Sequence, residues 1–165
     1  MGRERTPYGK DTWHRRALNA EKKLADLRSG LRYLLETSGE RPLERVPAAV
    51  VKIVDVKCPG SDEGDSFRME NLATLTANDE VKFVISDRHD YEFARDFMAQ
   101  YVLADRVNAV LFSPAFRKEA SGARGASNCL LDPQQLAEWM LEDYVPARLG
   151  LQIHKLIWDP ALKGV

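Results

Sequence analysis

The sequence predicts an α/β protein built on a parallel sheet or partial barrel of about five strands. Three observations lead there. Short apolar runs, four to seven residues long and three of them rich in Val or Ile, recur at 31–35, 50–56, 81–85, 109–112 and 149–153, as buried strands do. Helical stretches separate the runs, and no tight hairpin signal joins any two of them. Polar residues then gather where several of the runs end.

In chain order, residues 1–16 show no clear period. Through Lys23 the N-terminus holds seven Lys or Arg against three acids, which reads as a solvated terminus rather than a basic anchor. At 17–30 the pattern turns helical, with Leu18, Leu24 and Leu27 near one face and Ser29-Gly30 as a stop. Between the third and fourth runs, a helix is expected from Asp87 or Arg88, with Phe93, Phe97, Met98 and Tyr101 on one face. Before the fifth run, Asp132-Pro133-Gln134-Gln135 offers an N-cap carboxylate, a first-turn proline and a capping-box Gln, followed by Leu136, Met140 and Leu141. Two irregular stretches, 59–68 and 114–131, follow strand ends and read as ligand loops; a plain insertion is an equal reading of the second.

Side chains alternate along a strand, so parity sorts them by face. In the second run Val51, Ile53, Asp55 and Lys57 share a face, with the charged pair at the carboxyl end. In the fifth, Gly150, Gln152 and His154 oppose Leu149, Leu151 and Ile153. The first run ends Glu36-Thr37-Ser38-Gly39 and the fourth Phe112-Ser113-Pro114. Taken singly, each polar residue simply ends a strand. Together they outline the carboxyl edge at which α/β sheets bind ligands.

Individual residues leave alternatives open. Lys57 either pairs with a neighbouring acid or meets a ligand carboxylate or ribose. Lys82, inside an apolar strand, requires a partner. His154 reads as a satisfied core histidine, the commoner fate of one His on a sheet, and Cys58 as a buried small hydrophobe or as a reactive thiol beside a pocket. His14 and His89 receive no role. No Ser-His-Asp elbow, P-loop or GxGxxG pattern occurs.

The 165 residues carry 24 basic and 25 acidic side chains, a net charge of −1, which argues against a surface built to neutralise nucleic-acid phosphates. Cys58 and Cys129 alone supply neither a disulfide framework nor a four-Cys zinc or three-Cys iron–sulfur site. No apolar run approaches the ~20 residues of a membrane span, and no secretory signal opens the chain. A soluble protein of a reducing, cytoplasmic compartment is expected.

Several motifs in series make a family resemblance visible: Glu36-Thr37-Ser38-Gly39-Glu40, the stretch from Val51 through Asp55-Val56-Lys57-Cys58-Pro59, Asp79 through Ile85, Phe112-Ser113-Pro114, and Leu151 through Trp158 with a Gly164-Val165 end. From about Leu31 onward the chain closely resembles the 7-carboxy-7-deazaguanine synthase family. The resemblance implies the C-terminal part of an incomplete radical S-adenosylmethionine (β/α) barrel over 31–165, with 1–30 a poorly matched extension and helix.

The family's members are carbon–nitrogen lyases of queuosine and 7-deazapurine synthesis. They use S-adenosylmethionine, a [4Fe–4S] cluster and Mg2+ to convert 6-carboxy-5,6,7,8-tetrahydropterin to 7-carboxy-7-deazaguanine with loss of ammonia, and are often homodimers. By resemblance, Asp55, Val56 and Lys57 with Gln152, Ile153, His154 and Lys155 contact S-adenosylmethionine. Glu36 and Ser38 border its ribose, and the Val165 carboxylate approaches the pterin.

The family's three cluster cysteines, magnesium ligand, pterin-binding residues and Gly-Gly-Glu-Pro strand end have no match here. The resemblance therefore implies a chain inactive alone, completed by an N-terminal segment encoded upstream or on a separate chain. A non-catalytic module binding S-adenosylmethionine or a purine is the alternative, and an unrelated α/β interaction domain a third. A half barrel also exposes sheet edge and apolar lumen, so low stability is expected.

Overall fold

A computed structural model describes residues 22–23, 33–61, 63–64, 66–117 and 128–158. The chain divides into two compact units, Met1–Tyr33 and Leu34–Val165. In the first, residues 22–23 are helical. The rest of the expected 17–30 helix, and Val165, lie outside the described residues.

Five strands form one sheet in the order β1-β2-β3-β4-β5: β1 Tyr33–Thr37, β2 Val50–Val56, β3 Glu80–Ile85, β4 Ala109–Pro114 and β5 Arg148–Leu149. The pairs β2–β3, β3–β4 and β4–β5 are parallel. Strand order never doubles back, so successive crossovers can all lie on one face. That face is the core: Val54, Val56, Val81, Phe83, Ile85, Val110 and Phe112 are buried on it. Helix α1, Arg88–Gln100, packs there through Tyr91, Ala94 and Met98, and the helix Pro133–Glu142 through Leu136 and Met140. The Phe112 ring meets Phe83 and Tyr91 edge-on, at centroid separations of 5.7 and 6.0 Å. One turn, α2 Leu103–Arg106, precedes β4, so Pro133–Glu142 is α3.

Local chemistry explains these elements. The Asp87 carboxylate caps α1 by accepting the Asp90 N–H, and the Asp132 carboxylate caps α3 by accepting the Gln134 N–H ahead of a first-turn proline. Gln135 does not complete a capping box; its amide turns to Glu138. On α1 the buried line runs through Tyr91, Ala94 and Met98, while Phe93, Phe97 and Tyr101 are half-buried on its flank.

One charge sits within the apolar face of β2. Lys52 is buried, with Nζ 3.0 Å from Asp79 Oδ2. Asp79 also accepts the Lys52 N–H at 2.8 Å and both the N–H and hydroxyl of Thr76. Burial raises the Asp79 pKa, but these hydrogen bonds outweigh it and hold the carboxyl below its ordinary value.

Strand β5 corrects the expected 149–153 run. It pairs only through Arg148 with Leu111 and Leu149 with Phe112. Gly150 N–H still donates to the Phe112 carbonyl at 2.8 Å, where a Cβ would come within 2.8 Å of Ser113 Oγ. The chain then leaves the sheet and forms helix α4, Ile153–Ile157. Gln152 is its N-cap, Ile153 is 62% exposed, and the parity assigned to Gln152 and His154 does not apply. Ile153, Leu156 and Ile157 carry helical spacing, which the apolar run 149–153 masks.

Candidate functional site: an open sheet face at the carboxyl edge

The second sheet face is the half-exposed one. Ile53 and Asp55 on β2, Lys82 and Val84 on β3, and Leu111 on β4 alternate with the buried core positions. Register aligns Asp55, Lys82 and Leu111 in one row across three strands. Past this row, at the carboxyl edge, lies a cavity of about 970 Å3 lined in part by Asp55, Lys57, Lys82, Phe116, Gln152 and Lys155. Its size falls within the ~300–1,000 Å3 usual for small-molecule sites.

The charges have a definite arrangement. Lys57 Nζ donates to Asp55 Oδ2 at 3.0 Å, whereas Asp55 Oδ1 is buried without a hydrogen-bond partner among the described residues. Lys82 pairs with Glu36 at 2.9 Å, which supplies the partner that its position in β3 demands. Lys155, half-buried on α4, lies 5.4 Å from the Phe116 ring centroid and forms no ion pair among the described residues. Burial lowers its pKa, repulsion from Lys82 and Lys57 lowers it further, and Asp55 opposes both. The site therefore places a carboxylate, Asp55, and a cation without an ion pair among the described residues, Lys155, in the wall of one cavity.

The expected site residues separate into two groups. Asp55, Lys57, Gln152 and Lys155 line the cavity, although Gln152 and Lys155 arrive on a cap and helix instead of a strand. Glu36 reaches it only through Lys82. The Val56 side chain is buried in the core on the opposite face, Ile153 and His154 are exposed, and Ser38 is half-buried; none of these four lines the cavity. Parity had the information to find Ser86, which continues the Lys82 and Val84 face. Nothing local marks Phe116, Arg117 or Asp90, which also line it.

Cys58 borders the cavity but is buried, and burial first, then Asp90, Asp55 and Asp87, push its thiol pKa far up against the opposing pull of Lys57. Cys129 is buried and its pKa is raised by burial and Asp132. A metal-binding thiolate needs the reverse environment. Among the described residues no group of three His, Cys, Asp or Glu is placed to hold a metal ion. Two buried thiols with raised pKa do not fit the thiolate set of a [4Fe–4S] cluster, while Asp55 and Lys155 suit a small ligand with hydroxyl or ammonium donors and an anionic group. Among the described residues no helix is long and apolar enough to cross a membrane.

No family model matches the chain, and no solved structure matches it. Curated relatives do. A 7-carboxy-7-deazaguanine synthase of Koribacter versatilis is 66% identical over 137 residues, which cover 83% of this chain and 61% of that protein. Synthases of the same name from Chlorobaculum tepidum and Methanospirillum hungatei are 35% and 29% identical, over 80% and 81% of this chain and 56% and 50% of their own lengths. The chain thus spans between half and about three fifths of these relatives. Over that shared length, this chain is a partial-length homologue of the 7-carboxy-7-deazaguanine synthases.

Proposed function

We propose that the cavity at the carboxyl edge binds S-adenosylmethionine and that the chain is the cofactor-binding part of a 7-carboxy-7-deazaguanine synthase. The observation that carries this reading is that Asp55 and Lys155 line one cavity, with Asp55 Oδ1 buried and unpartnered among the described residues. A buried carboxylate oxygen without a donor is costly unless a ligand satisfies it. S-adenosylmethionine brings ribose hydroxyls and an ammonium as donors, and a carboxylate for Lys155 or Lys57. Phe116 adds an apolar surface. The homologues' common name supports the same choice.

A cluster would be held by polypeptide other than the described residues, and the part left to this chain is the binding of S-adenosylmethionine. This chain's residues orient the ligand. Asp55 accepts from it, Lys155 and Lys57 neutralise its carboxylate, and Gln152 closes the side formed by α4. Conversion of 6-carboxy-5,6,7,8-tetrahydropterin then requires a thiolate triad and pterin-binding residues supplied by further polypeptide, on the same or a separate chain; a homodimer is part of the same proposal.

Burial of both thiols favours a second reading, a non-catalytic S-adenosylmethionine or purine module in a cytoplasmic protein. Calorimetric titration with S-adenosylmethionine tests what the two readings share: saturable heat is expected, and no heat at millimolar ligand rejects both. Coding sequence just upstream that contains a cysteine triad and Gly-Gly-Glu-Pro favours the synthase. Its absence in every frame favours the module.

A further inference from the structure

The cavity wall that carries Lys57 is held by a carboxylate from another element. After β2, the chain turns at Cys58-Pro59-Gly60-Ser61, with Ser61 N–H and hydroxyl both donating to the Cys58 carbonyl at 3.0 and 2.7 Å. The turn is fixed across the edge by Asp90, in the first turn of α1. Asp90 Oδ1 accepts the Gly60 N–H at 2.7 Å, and Oδ2 accepts the Ser86 N–H at 3.0 Å and the Ser86 hydroxyl. Asp90 is buried, yet it spends no oxygen on its own helix, where Asp87 already does the capping.

The fit is close on both sides. A Cβ at Gly60 would lie 2.8 Å from Asp90 Oδ2 and 2.8 Å from Ser86 Oγ, so only glycine allows the turn to sit on the carboxylate. Gly60, Ser86 and Asp90 all border the cavity. A buried carboxylate that accepts three donors from two loops stores its stabilisation in their relative position, because removing it leaves two backbone N–H groups without acceptors.

We infer that Asp90 is the positioning residue of the ligand wall: it clamps the turn after β2 to the β3–α1 junction and so holds Lys57 at the geometry in which the cavity receives its ligand. The inference rests on the proposed S-adenosylmethionine reading for its ligand, but not for the clamp itself. Its conformational content is that the turn after β2 opens without Asp90 while the sheet stays closed.

Hydrogen exchange and S-adenosylmethionine titration on the full chain test this with Asp90→Asn, Gly60→Ala and Ser86→Ala. Asp90→Asn removes one acceptor and Gly60→Ala displaces the turn while keeping the buried carboxylate, so a folding failure of the first does not end the test. Both are expected to speed exchange over 57–61 with β3 and β4 protection unchanged. Both should weaken S-adenosylmethionine at least about tenfold, the loss of one charge-assisted hydrogen bond. Ser86→Ala, which keeps the Gly60 bond, should leave exchange over 57–61 close to that of the native chain; a purely structural carboxylate would instead lower the melting transition in all three variants without separating their exchange over 57–61. Unchanged exchange over 57–61 in both Asp90→Asn and Gly60→Ala overturns the inference, as does faster exchange with undiminished affinity. If the native chain takes no S-adenosylmethionine, the proposed function fails and the exchange comparison still decides the clamp.

Discussion

At the residue scale, a buried and a half-buried charge behave differently because the first is paired and the second forms no ion pair among the described residues. Asp79 has four hydrogen-bond donors, counting the Lys52 ammonium, and a depressed pKa. Its contribution to stability is complete above the ordinary value of 3.8 and is lost as pH falls through the lower folded value. Lys52→Met should therefore cost about 3–5 kcal/mol in urea melts at neutral pH, by stranding the carboxylate, whereas Lys52→Met with Asp79→Asn, which removes the charge but keeps an acceptor for the backbone N–H groups, should cost less. Equal losses in the single and double variants would contradict the pairing. Lys155 is the opposite case. Between its lowered pKa and the ordinary 10.5, the unfolded chain binds this proton more tightly than the folded one, so stability rises with pH across that interval. A bound carboxylate draws the proton back. Titrations in buffers of different ionisation enthalpy should thus show proton uptake on S-adenosylmethionine binding in alkaline solution, fading toward neutrality and absent in Lys155→Met.

At the element scale, α1 and α3 are joined by Tyr91, whose hydroxyl donates toward the Asp143 carboxylate and the Trp139 carbonyl, each at 2.8 Å. Arg88 lies 4.9 Å from the centroids of both Tyr91 and Trp139 and adds cation–π contact to the joint. Tyr91→Phe keeps the ring against Phe112 and removes only the hydroxyl, so a loss of about 1–2 kcal/mol is expected from urea midpoints; no loss would mean that the hydroxyl is equally well served by water. These helices were legible in the sequence because their signals are local: Asp87 and Asp132 cap within three residues, and β2 was bounded by its own Val and Ile run. The last strand was not legible. A five-residue apolar run suits strand or helix alike, and β4 offers pairing only to Arg148 and Leu149. The clamp at Asp90 was hidden for a similar reason: an acid in a first helical turn reads as a dipole partner, and its actual partner, Gly60, lies thirty residues earlier.

At the scale of the whole molecule, one sheet face is buried and the other is only partly covered among the described residues, and apolar surface shows at the edges. Leu34 on edge strand β1 is 66% exposed, and Leu151, Ile157 and Trp158 are exposed beyond β5. Open apolar surface of this kind favours association and a shallow unfolding transition. Sedimentation and urea melts on the chain alone should show concentration-dependent self-association or poor cooperativity; a cooperative monomer of ordinary stability would contradict it. Parallel order was readable from runs separated by helices, and parity marked the charged end of β2; Asp55 and Lys57 do line one cavity, where Gln152 arrives on a helix cap instead of a strand and Lys155 was expected from the family resemblance alone. Amide NMR during titration with S-adenosylmethionine tests most directly that this cavity is the binding site. Saturable shifts confined to 55–61, 115–117 and 152–155 are predicted, and either no shifts at millimolar ligand or shifts centred elsewhere on the chain would contradict the account.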